Sequence, residues 1–414
     1  MGDLGAMTSV GTDRTENTVD RAAAANHVGI SRDLTIGPIT VDTPVVLAPM
    51  AGITNMPFRL LCREFGARYS QHDGGLFVSE MVTSRALVER TPESMRLITC
   101  HERETPRSVQ LYGVDPATVR AAVVMLREED RADHIDLNFG CPVPKVTRNG
   151  GGAVLPWKTE LFTQIVRGAV EAAEHIPVTV KTRMGIDKDH LTYRDAGLIA
   201  QEVGAKAIAL HGRTAAQHYS GTAHWDAIAD LKQLITEIPV LGNGDIWSAD
   251  DALAMCEQTG CDGVVVGRGC QGRPWLFADL AAGFHGLPDR VRPGLREVAA
   301  ILRRHAELLV EYFGDEGRGV RDLRKHVSWY FKGYPVGGAV RQALTTMESL
   351  RDLDTKLERL DLGCPYPGPV VEGPRGRAGH PKRPAVPEGW MQTREITPDL
   401  AARLHQAELS ISGG

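Results

Sequence analysis

From residue 45 to residue 282 the chain alternates short apolar runs with amphipathic stretches. One cycle takes roughly thirty residues, the rhythm of repeated βα units that feed a parallel sheet. Eight apolar runs read as strands: Val45–Ala48, Leu76–Ser79, Ser108–Leu111, His134–Leu137, Val178–Thr182, Ala207–Leu210, Pro239–Leu241 and Gly263–Val266. Segments of helical spacing lie between them, among them Pro116–Arg127, Leu161–Ala173, Tyr193–Val203 and Ala249–Gln258. Eight parallel strands over about 250 residues close a TIM barrel. The expected fold is therefore α/β, a TIM (β/α)8 barrel over 33–287 followed by a small C-terminal helical domain. That domain, 288–362, shows no strand pattern and is rich in Leu, Arg and Glu. Within it Leu323, Val327, Tyr330 and Phe331 share one helical face, while Arg321, Lys325, Ser328 and Lys332 fall on another.

The two ends of the chain read differently. Residues 1–32 have little apolar periodicity and are expected as a disordered leader, with Met7 an alternative start. Residues 363–414 carry Pro365, Pro367, Pro369, Pro374, Pro381, Pro384 and Pro387 among glycines and charges, and are expected as a mostly disordered tail.

Composition narrows the class. At 414 residues and 42% hydrophobic content, the chain is long enough for a barrel with an appendage. No run approaches the ~18 to 20 apolar residues of a membrane span, and the first thirty residues lack a signal core. A cytoplasmic location is expected, with no membrane association and no protein partner indicated. The seven cysteines are scattered without a CxxC pair, which argues against a disulfide framework and against a metal site. The net charge of −5 does not point to nucleic acid. Locally, though, 318–341 holds Arg318, Arg321, Arg324, Lys325, Lys332 and Arg341 against the single acid Asp322. That stretch is a candidate RNA surface, the alternative being a solvated helix face.

In a TIM barrel the working residues project from the C-terminal ends of the strands, and all eight ends here carry polar or special residues. The first ends in Pro49, Met50, Ala51 and Gly52, the second in Glu80, the third runs through Gln110, and the fourth leads into Asn138 with Cys141 beyond it. The fifth carries Lys181 and Arg183, and the sixth ends at His211, Gly212 and Arg213. The seventh ends at Asn243, Gly244 and Asp245, and the eighth at Gly267, Arg268 and Gly269. Any one of these reads equally as an ordinary loop polar group; eight together point to a site. This fold often binds phosphate after strands seven and eight, where backbone N–H groups meet the anion, and Arg268 would add charge there. Gly267, Gly269 and Gly272 also spell GxGxxG. A dinucleotide fingerprint opens a βαβ unit, however, and this one closes the strand series.

A lysine on strand five and a histidine on strand six suit a flavin, whose reduced N1–O2 edge carries negative charge. For Lys181 the alternative is a salt bridge across the mouth. Gln110 would offer an amide to the pyrimidine edge of the flavin ring, and the Pro49–Ala51 turn a backbone contact to its face. Cys141 sits in a loop that continues to Gly150, Gly151 and Gly152, flexible enough to carry a thiol over a substrate. A neutral thiol of pKa about 8.5 can donate a proton; the alternative is a small buried hydrophobe.

Taken in order, APMAGITNMPFR (48–59), SEMV (79–82), VQLYG (109–113), IDLNFGCPVPKV (135–146), VKTRMG (180–185), LHGRTAAQHYSG (210–221), GNGDI (242–246) and VGRG (266–269) resemble the bacterial tRNA-dihydrouridine synthases. Arg324-Lys325-His326 followed by Trp329-Tyr330 resembles that family's helical RNA-binding domain. The resemblance implies FMN, with Pro49, Met50, Ala51, Gln110, Lys181, His211, Asn243, Gly244, Asp245, Gly267 and Arg268 as the matching cofactor positions. It implies hydride transfer from reduced FMN to C6 of a tRNA uridine while Cys141 protonates C5, with NADPH as the electron donor. Asn138, Arg183 and Arg213 would stand near the base or the RNA, and Lys145, Arg148, Arg324 and Lys325 would contact tRNA. Asn55 departs from the pattern, standing where the family often has Asp. Two alternatives compete: an FMN barrel acting on a free pyrimidine, of the dihydroorotate dehydrogenase type, and an RNA-binding barrel without catalysis. The basic helical face has no use in the first, and an intact Cys141 with a full cofactor set argues against the second.

Overall fold

A computed structural model describes residues 33–71, 74–376 and 378–410, with side chains through Gln406. The expected leader, 1–32, lies outside the described residues. A short antiparallel hairpin, β1 (Leu34–Ile36) and β2 (Ile39–Val41), comes first. Eight strands then follow: β3 (Val45–Leu47), β4 (Leu76–Thr83), β5 (Ser108–Tyr112), β6 (His134–Phe139), β7 (Val178–Arg183), β8 (Ala207–His211), β9 (Val240–Asn243) and β10 (Gly263–Val266). Each pairs in parallel with the next, and β10 returns to β3, so the sheet closes. This is a TIM barrel.

The strands are buried on nearly every residue because helices cover the outside while side chains fill the inside. The inward set alternates along each strand, and Val46, Ala48, Leu76, Val78, Ala209, Leu241 and Val265 pack together. The hairpin supplies the floor: Leu34, Ile36 and Val41 are buried in that same cluster. Above the apolar floor the inward positions turn polar. Ser108 Oγ meets His134 Nδ1 at 2.7 Å, His134 Nε2 meets Thr179 Oγ1 at 3.0 Å, and Thr179 Oγ1 donates to Asp136 Oδ1 at 2.6 Å. Buried polar groups placed in pairs in this way avoid the desolvation cost of lone ones.

The helix Met56–Gly66 joins the barrel to the helical segment. Asn55 caps its N-terminus by accepting from Phe58 N at 3.3 Å, a task an amide oxygen performs as well as a carboxylate. Its Arg59 is 1% exposed and pairs with Glu104 at 2.6 Å. Leu60 and Leu61 pack on Leu308 of the long helix Leu295–Phe313. Phe58 meets the rings of His305 and His326 at centroid distances of 5.7 and 6.0 Å.

Two expectations need correction. The basic stretch is one helix in the sequence pattern but three short pieces in the structure: Glu316–Leu323, a 3-10 turn over Arg324–His326, and Val327–Tyr330. Leu323, Val327, Tyr330 and Phe331 are buried as the pattern requires. The cations divide, however. Arg324 donates twice to Met347 O, Lys332 donates to the carbonyls of Gly373 and Pro374, and Arg341 donates to Phe331 O and Tyr334 O. Arg321 and Lys325 remain exposed, Lys325 in an ion pair with Asp322 at 2.8 Å. The second correction concerns 363–414. Instead of a disordered tail, its described residues lie against the barrel, with Arg375 and Trp390 buried at 2% and 1% exposure. Apart from a 3-10 turn at Pro369–Val371 and a helix at Pro398–Ser410, proline and glycine keep this chain irregular, yet they leave side chains free to anchor it.

Candidate active site at the C-terminal mouth of the barrel

The register places the polar strand ends in tiers. Gln110 stands beside Asp136, Asn138 beside Lys181, Arg183 beside His211, and His211 beside Asn243. They surround a cavity of about 400 Å3. All eleven residues expected at the cofactor line it, together with Cys141, Asn138 and Arg183. Five other expected residues do not. Lys145 and Arg148 are exposed on the Cys141 loop, Arg324 is turned to Met347 as described, and the Lys325 ammonium lies outside the cavity beside Gly52. Arg213 is 1% exposed, pairs with both oxygens of Asp245 at 2.9 and 2.7 Å, and donates to Ser220 O and Gly221 O. Through Nε and Nη2 it braces the loop after β8, while its buried Nη1 has no hydrogen-bond partner among the described residues. Asp245 also accepts from Ala223 N at 2.7 Å, so its carboxylate belongs to the same brace.

A relay runs across the floor of the cavity. Asp136 Oδ2 accepts from Gln110 Nε2 at 2.6 Å, and Gln110 Oε1 accepts from Asn138 Nδ2 at 2.8 Å. Asn138 Oδ1 in turn accepts from the backbone N–H groups of Gly140 and Cys141, both at 3.0 Å. Asn138 therefore fixes where the Cys141 loop leaves β6. Burial pushes the Cys141 thiol above its ordinary pKa, and the nearby Arg183 and Lys181 only partly offset this. At neutral pH the group carries its proton.

Three cations line the walls. Lys181 donates to Asn243 Oδ1 at 2.9 Å, and burial lowers its pKa while Asp136 opposes the shift. Arg183 donates to Gly140 O, Thr214 O and His218 O, tying the Cys141 loop to the loop after β8. Burial takes it down to about 10, so it stays charged at neutral pH. Arg268 stacks over Tyr219 at 4.4 Å and Trp247 at 5.1 Å. His211 is held neutral, first by burial and then by the surrounding Arg183, Lys181, Arg213 and Arg268.

Such a lining suits a flat, anionic, hydrogen-bonding group of flavin size. Cavities of about 300 to 1,000 Å3 hold ligands of that class. Met50, Ile53 and Val265 give apolar surface, Lys181 and Asn243 polar contact, and the backbone of Gly267–Gly269 with Arg268 an anion cradle. The buried Gln271 Oε1, also in the lining, has no hydrogen-bond partner among the described residues, an acceptor that a ligand donor would satisfy. FMN, which the resemblance implies, fits this donor set.

Several lining residues escaped the sequence reading: Met81, Tyr219, Trp247, Gln271, Trp329 and Gly376. Asp136, just beneath, escaped it too, although its place two residues before Asn138 on a strand puts both on the inward face. Trp329 and Gly376 come from the helical segment and from the supposed tail, where no strand-end rule applies.

The chain matches the family described as Dihydrouridine synthase (Dus) over residues 46–362. It is 57% identical over 360 residues to a "Probable tRNA-dihydrouridine synthase" of Mycobacterium tuberculosis (strain H37Rv), covering 86% of this chain and 92% of the relative. A protein of the same description from Mycobacterium leprae is 53% identical over 390 residues, 89% of this chain and 100% of the relative. The "tRNA-dihydrouridine synthase B" of Pseudomonas aeruginosa is 41% identical over 326 residues, 78% and 92% respectively.

Proposed function

We infer that this chain, which belongs to the dihydrouridine synthase family, is an FMN-dependent oxidoreductase that reduces the C5–C6 double bond of uridines in tRNA. The observation that carries the reading is a protonated Cys141 thiol at the mouth of a cavity whose cations and amides suit FMN. The relatives' names specify tRNA, which favours this reading over a free pyrimidine substrate.

When bound, FMN supplies the hydride that C6 of the uracil receives. Lys181, His211, Asn243 and Arg268, with the backbone of Pro49–Ala51, Gly244 and Gly267, would hold it. Cys141 gives its proton to C5, so that hydride and proton together saturate the bond. Asn138 orients the donor by holding its backbone N–H, and Arg183 holds the carbonyl of Gly140 one residue earlier. The thiolate left behind is stabilised by Arg183 and Lys181 until solvent returns the proton. A uridine must leave its stack to reach this depth. The helical segment 288–362, through Arg321 and Lys325, would grip the RNA while the base is out, and Lys145 and Arg148 would do so from the Cys141 loop. NADPH would serve as the electron donor, in the cytoplasm.

The test is mass spectrometry of nucleosides from unmodified tRNA after incubation with the flavin-loaded protein and NADPH. A gain of two mass units on uridine, lost in Cys141→Ala, is expected. No gain, with flavin that demonstrably reduces and tRNA that is intact, overturns the reading.

A further inference from the structure

We propose that residues 371–376 and 378–405 form a strap that holds the Cys141 loop in its working position, with Trp390 as the positioning residue; the proposal rests on the functional reading above. The family match ends at 362, yet the chain beyond it runs along the rim of the mouth and is fastened at each loop it passes. It starts at the loop after β10, where Arg375 donates to Gln271 O at 3.1 Å. At the loop after β8, Lys382 N donates to Ala216 O at 2.8 Å. At the helix after β7, Arg394 pairs with Asp195.

The tightest fastening is on the loop that carries Cys141. The buried Lys158 donates to the carbonyls of Thr393 at 2.7 Å and Glu395 at 2.9 Å, and its ammonium lies 5.1 Å from the Trp390 ring. Trp157 Nε1 donates to Thr393 O at 3.1 Å. Trp390 Nε1 donates to Val154 O at 3.0 Å, and the neighbouring Ala153 N donates to Cys141 O at 3.0 Å. One residue of backbone thus separates the strap's anchor from the peptide of the proton donor.

The glycines of the loop are shaped to this contact. Gly150 has φ +78°, and a Cβ on it would lie 2.6 Å from the Trp390 ring. Gly152 has φ +58°, and a side chain there would strike the Cys141 carbonyl. A loop with two left-handed glycines is free to swing unless both of its sides are held. Asn138 holds the inner side through Cys141 N, and the strap holds the outer side through Val154. The indole fills the space that the missing Cβ leaves, so the loop and Trp390 fit as a pair.

Loss of the outer anchor lets Cys141 leave the line of attack without touching the groups that would hold FMN or grip the RNA. In the full-length, flavin-loaded protein, Trp390→Ala is expected to speed amide exchange across 141–157 by about tenfold or more while β5 to β7 exchange as in wild type. It is expected to lower kcat on tRNA by about tenfold with KM little changed and flavin content unaltered. Trp390→Phe, which keeps a ring but lacks the Nε1–H, should give a smaller rise in exchange, roughly threefold, confined to the same segment. Unchanged exchange in 141–157, or an equal rise in β5 to β7, overturns the proposal; should Trp390→Ala fail to fold, Trp390→Phe decides by the same criterion. Exchange is read without tRNA, so the two readings fail separately: a wild-type protein that does not reduce uridine overturns the function, and the exchange rates alone decide the strap.

Discussion

A thiol serves as a proton donor only while it holds the proton, and burial works in that direction at Cys141 by pushing its pKa above the ordinary thiol value. Turnover on tRNA should therefore hold through neutrality and decline only above the ordinary thiol range. A pH profile of the single-turnover rate checks this, and Cys141→Ala should abolish the limb while cutting the rate by about 10²- to 10⁴-fold. Lys181→Met should act earlier, slowing reduction of the flavin by NADPH, whereas Cys141→Ala should leave that step alone; stopped-flow absorbance separates the two. The residues behind these predictions were legible because each sits at a strand end within a recognisable run of letters. Asp136 was not, since a carboxylate inside a strand announces no partner, and its meaning comes from Gln110 across the register. Arg213 shows the complementary limit: its letters match a site, but they do not tell that Nε and Nη2 hold Asp245 and two loop carbonyls.

The eight barrel strands were legible to within a few residues at their ends, because a short, largely apolar run flanked by helical spacing has few other readings. The hairpin of β1 and β2 was missed: three-residue strands are too short for a period-two pattern to emerge. The helical segment shows a further limit, since periodicity reveals which face is buried but not which cations turn back to cap carbonyls, as Arg324 does. Where that segment meets the barrel, His305 and His326 lie in ring contact at 4.7 Å. Burial lowers His305 to about 3 and His326 well below the ordinary value, with the Lys325 charge adding to both shifts. Unfolded, each would titrate near 6.5. The stability that comes from keeping them neutral is thus complete above about 6.5 and is lost as pH falls toward the folded values, about 1.4 kcal/mol per histidine per pH unit. The thermal midpoint should drop by several degrees between pH 7.5 and 5.5, and His326→Phe should flatten that slope.

At the scale of the whole molecule, the balance of charge hides a local one. The chain carries −5 overall, yet Arg321 and Lys325 stay exposed on the helical segment, with Lys325 beside Gly52 at the barrel mouth. Arg321→Glu together with Lys325→Glu should weaken tRNA binding and lower the slope of log affinity against log salt by about 2, with flavin content unchanged; fluorescence titration across salt concentrations measures it. The strap could not be read from sequence, because its proline-rich composition resists a core of its own and says nothing about borrowing one from the barrel. The floor of the barrel has a consequence of another kind. With Leu34, Ile36 and Val41 packed into its lower end, the barrel is a cup, and what enters must leave by the same rim. On the proposed reading a nicotinamide donor and a tRNA would share that rim over one flavin, so the two half-reactions would alternate. Initial rates at several fixed tRNA concentrations should give parallel double-reciprocal lines, and excess NADPH should inhibit in competition with tRNA.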